Sequence, residues 1–87
     1  MVVSDAIKDK IFKFLRNSNT VKLATSALWV TYGTDKTMEV TDLIRGLQMT
    51  CLWELFGTDV GQVGFDKVLQ IVNDYVISIL DQKVYGV

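Results

Sequence analysis

Histidine and proline are both missing from this 87-residue chain. Without histidine there is no imidazole to serve as general base, zinc ligand or middle member of a Ser or Cys triad. Without proline no X-Pro bond marks a hinge, a cis turn or a stiff linker. Cysteine occurs once, at Cys51, which excludes an internal disulfide and a cysteine-built metal cluster. Long apolar runs are also lacking. No segment approaches the roughly 20 residues that span a bilayer, and Met1–Lys10 lacks the basic-then-apolar order of a secretory leader. A cytoplasmic, intracellular chain with no membrane partner is therefore expected.

What the chain has is apolar side chain. Hydrophobic residues make up 49% of it and charged residues 22%. A domain this small buries only about 60–65% of its unfolded surface, so surplus apolar area tends to meet a second copy or another protein. The net charge is −1, unevenly placed. Residues 1–22 carry five bases against two acids, and residues 23–87 four against eight.

Residues 4–16 read as an amphipathic helix, with Ser4 as N-cap and Ile7, Ile11, Phe14 and Leu15 as its apolar stripe. Lys10, Lys13 and Arg16 fall roughly opposite, with Asp9 and Lys13 spaced as an i, i+4 pair. Residues 20–41 admit two readings. As a helix, Asn19 caps it, Val21, Ala24, Leu28 and Tyr32 share a face, and Gly33 supplies a left-handed C-terminus. As strands, residues 28–32 and 37–41 flank a four-residue loop in a β-hairpin. The helix is preferred, because its neighbours are helical and an isolated two-stranded ribbon is poorly stable.

Residues 41–56 spell a helix that is apolar nearly all round. Leu43, Ile44, Leu47, Cys51 and Leu55 form one face, and Met49, Leu52, Trp53 and Phe56 a second. Such a helix needs cover on most sides, which few elements of a short chain can give. Gly57 ends it, and the glycines at 57, 61 and 64 mark a loop. Residues 65–82 form the longest helix, with Phe65, Val68, Leu69, Val72, Val76, Ile79 and Leu80 inward, a face that Ile71, Tyr75 and Ile77 widen. The expected fold is all-α, a small bundle of about four helices in a single domain over 1–87. The alternative is α+β, with a short hairpin at about 28–41 packed on three helices.

No arrangement of residues for catalysis emerges. Cys51 sits mid-helix on an apolar face and reads as a small buried hydrophobe. The carboxylate pairs Glu39/Asp42 and Asp74/Asp81 read as solvated, whereas acid catalysis needs a buried carboxyl. The glycine loop matches no phosphate-binding pattern, and aligned as a calcium loop it would put Phe56 and Lys67 at ligand positions. No enzymatic activity, metal or cofactor is expected.

The expectation is instead a small non-catalytic protein–protein interaction module, an adaptor, regulator or inhibitor acting by surface occlusion. It would self-associate as a homodimer, bind a larger protein, or do both. Its contact residues would be Met49, Leu52, Trp53, Phe56 and Trp29, types that concentrate in interface cores. The alternative is a nucleic-acid-binding regulator that uses Lys10, Lys13 and Arg16 on its basic first helix.

Overall fold

The computed structural model describes residues 5–58 and 64–85. They form four helices: α1 (Asp5–Asn17), α2 (Asn19–Thr31), α3 (Thr37–Phe56) and α4 (Phe65–Tyr85). No strand occurs among the described residues, so the all-α bundle holds and the hairpin alternative falls. Residues 37–41, its second strand, are the opening of α3. Ser4, the expected N-cap of α1, and residues 59–63 of the glycine loop lie outside the described residues.

Ser18 alone separates α1 from α2. Its N–H donates to the Leu15 carbonyl at 3.2 Å, its hydroxyl accepts from the Val21 N–H at 3.3 Å, and its carbonyl accepts from the Lys22 N–H at 2.9 Å. The cap of α2 is therefore Ser18, one residue before the expected Asn19. Gly33 takes the positive φ expected of it, +92°, and the Thr34 hydroxyl closes the turn on the Thr31 carbonyl at 2.7 Å. α3 begins at Thr37, four residues earlier than its sequence indicates, from a Lys36 cap that offers no side-chain hydrogen bond. At its other end Gly57 keeps an ordinary φ of −85°, so no left-handed cap forms there. The Thr58 hydroxyl donates to the Leu55 carbonyl at 2.7 Å in its place.

α2 packs on all three other helices, and α3 also packs on α4. Leu15, Val21, Leu28, Leu47, Cys51, Leu55, Val68 and Val72 are sealed within one shared core. The inward side of α1 is turned from the expected stripe. Ile11 and Leu15 are buried, while Ile7 and Phe14 are exposed and Phe12 packs inward. The cause lies on α4: Phe12 meets the Tyr75 ring edge-on at 5.2 Å, and Lys8 pairs with Asp74 at 2.8 Å. Asp74 is thus a partner across helices rather than a purely solvated acid. Along α4 the buried residues run Val68, Ile71, Val72, Tyr75, Val76 and Ile79, the i, i+3, i+4 rhythm of an amphipathic helix, with Phe65 and Ile77 left outside. Gln48 donates from α3 to the Asn73 side-chain oxygen of α4 at 2.9 Å.

Among the described residues one buried side-chain polar atom has no hydrogen-bond partner, the Thr25 hydroxyl on α2. A desolvated hydroxyl without a hydrogen bond destabilises by about 1–3 kcal/mol, and valine has nearly the same shape. Thr25→Val is expected to raise the unfolding free energy by about 1 kcal/mol in urea titration. A loss of stability would mean that the hydroxyl is satisfied in solution.

Candidate interaction surface

α3 is covered by α2 along one side and α4 along another, and its remaining side faces water. Met49, Trp53 and Phe56 follow one another there at i, i+4 and i+7, which aligns them on one ridge. They are 66%, 77% and 56% exposed. The Trp53 and Phe56 rings meet edge-on, with centroids 6.5 Å apart. Beside this ridge, toward the start of α2, runs a groove of about 280 Å³ lined by Thr20, Met49, Thr50, Trp53 and Glu54. Its lining is mostly apolar, and the Thr50 hydroxyl is already committed to the Gly46 carbonyl at 2.8 Å.

Two of the expected contact residues lie elsewhere. Leu52 is only 6% exposed and belongs to the core. Successive helical residues are separated by about 100°, so Leu52 turns inward with Leu55 while Trp53 turns out. Trp29 is half-buried against the core, with the Lys83 ammonium 5.4 Å from its ring centroid. Three exposed apolar residues escaped the sequence reading: Leu23 and Val30 on α2, and Met38 on α3. The spacing of Leu23 and Val30, seven apart and off the Val21–Leu28 line, was the available signal.

On α1, Lys10, Lys13 and Arg16 are all exposed. Lys10 and Lys13 form no ion pair among the described residues, and neither does the Asp9–Lys13 combination. The Arg16 charge acts on Tyr75, lowering the pKa of a phenol that burial and the neighbouring Cys51 push up.

Cys51 is fully buried, and burial, with the Glu54 charge adding to it, pushes its thiol up to about 12 from an ordinary 9.0. A thiol held neutral to that pH is a poor nucleophile. In the unfolded chain the same thiol ionises near its ordinary value, so it favours the unfolded state once pH passes 9.0. The stability it confers is complete below 9.0 and drains away as pH rises toward about 12. Tyr75 shifts in the same direction. Stability is therefore expected to fall between pH 8 and pH 10.5, and less steeply in Cys51→Ala; equal slopes in denaturant titrations would contradict this. Among the described residues no group of three or more His, Cys, Asp or Glu side chains is placed to hold a metal ion. No described helix is long and apolar enough to cross a membrane.

Fold and surface together define the class: among the described residues, a four-helix, all-helical bundle that presents a ridge of Met49, Trp53 and Phe56 on the outer side of α3. Comparison with known proteins takes this no further, since no family model matches the chain and no curated protein or solved structure is detectably similar to it.

Proposed function

We propose that this chain is a small protein–protein interaction module that works by binding rather than catalysis, and that its first partner is a second copy of itself. The observation that supports this reading is the ridge of Met49, Trp53 and Phe56, more than half exposed on a helix whose other sides fill the core. These three side chains leave on the order of 400 Å² in water on each protomer, a size at which surface patches are often functional. Aromatic and Met side chains are the types enriched at interface cores, where Trp most often carries the binding energy. In a two-fold dimer each of them counts twice.

Light scattering over a dilution series tests it. A mass of about twice 9.8 kDa that falls toward 9.8 kDa on dilution is the expected result. A monomer at every concentration would sink the reading.

Nucleic-acid binding through α1 is a second reading, favoured by the exposed Lys10 and Lys13, which form no ion pair among the described residues. It ranks behind because the sequence pI is about 5.1 and only Arg16 extends that basic face. Salt-dependent retention on immobilised DNA, lost when Lys10, Lys13 and Arg16 become Gln, would raise it above the first.

A further inference from the structure

Gly46 sits in the middle of α3, where glycine is about 1 kcal/mol less favourable than alanine. Nothing inside the molecule asks for it. Among the described residues positive φ occurs only at Gly33 and Gly64, and a Cβ added at Gly46 would meet no atom within 4 Å. The position is exposed. It stands one turn before Met49 and Thr50 and two turns before Trp53, so it opens the same ridge. A bare stretch of backbone and a protruding indole thus share one helix face, about 10 Å apart along its axis.

We infer that Gly46 is the socket of the homodimer, receiving the Trp53 indole of a second copy as two α3 helices cross antiparallel about a two-fold axis. This rests on the self-association proposed above and gives it a contact. With the axis between Met49 and Thr50, residue 46 of each copy faces residue 53 of the other, and both contacts form twice. A second copy is the natural occupant because the ridge carries both halves of the fit. The exposed charges of α3 are two acids, Glu39 and Asp42, against one base, Arg45, a net of −1 on each copy. Area agrees. About 800 Å² of apolar surface from two ridges, in an interface core about 65% apolar, corresponds to roughly 1,200 Å² buried in all. That is the lower end for stable protein pairs.

The test places side chains in the socket while leaving the monomer sound. Gly46→Ala and Gly46→Leu are measured by light scattering over dilution and by urea unfolding, with Gln70→Leu on the exposed side of α4 as control. Helix propensity favours both substitutions, so unfolding is expected to move to equal or higher urea. The dimer dissociation constant is expected to rise about tenfold for alanine and further for leucine, and to stay unchanged in the control. A wild-type dimer that both variants reproduce would overturn the socket and leave self-association standing. A wild-type chain that is monomeric throughout would overturn both. If Gly46→Leu unfolds early, Gly46→Ala alone decides, since a methyl group at this position meets nothing within the protomer.

Discussion

Leu28→Ala is expected to remove about 3–4 kcal/mol of stability, the middle of the range for a sealed leucine. Leu28 has no exposed surface, and it sits on α2, which packs on all three other helices. Truncation there opens a cavity walled by several elements, none of which can close it without moving against a neighbour. Native domains are stable by only about 5–15 kcal/mol, and one of 87 residues belongs near the bottom of that range. The loss is then a large fraction of the total, equivalent to a fall of about 12–25 °C in Tm. Urea titration at fixed, low protomer concentration checks it, because self-association would add to the apparent stability. A loss under about 1 kcal/mol would mean that the core is not assembled around α2.

The same geometry explains what the sequence could and could not convey. α1 and α4 were legible because their apolar residues recur at helical spacing between polar ones. Even so, α1 is turned so that Phe12 rather than Phe14 faces inward, a choice made by Tyr75 and Asp74 on another helix. Ser18 and Asn19 are both good caps, and only the hydrogen bond to the Val21 N–H separates them. The start of α3 left no trace, since Lys36 makes no capping bond.

The candidate surface was half legible for a related reason. A helix that is apolar on nearly every side carries no periodic signal for which side is inward. Met49, Trp53 and Phe56 fell on the outer side, while Leu52, one position away from Trp53, was claimed by the core. Trp29 is partly covered by Lys83 from the last turn of α4, a contact 54 residues away in sequence. Residue type identified the interface candidates, and the packing of α2 and α4 on α3 decided which of them stay in water.

Trp53→Glu is expected to abolish self-association while leaving the protomer folded. Because Trp53 is 77% exposed, its replacement removes little from the monomer, within about 0.5 kcal/mol. In the proposed dimer it loses an aromatic anchor of the kind that carries about 2 kcal/mol or more, a factor of roughly 30 in the dissociation constant. It also puts an unpaired carboxylate into each half of an apolar contact, where desolvating the charge adds to the loss. Light scattering is therefore expected to report 9.8 kDa at concentrations where the wild-type chain is dimeric. Leu23→Glu is the matched comparison, since Leu23 is 75% exposed on α2 and lies off the α3 ridge. That variant is expected to dimerise like the wild type. A reversal, with Leu23→Glu monomeric and Trp53→Glu still dimeric, would move the contact from α3 to α2 and take the Gly46 socket with it.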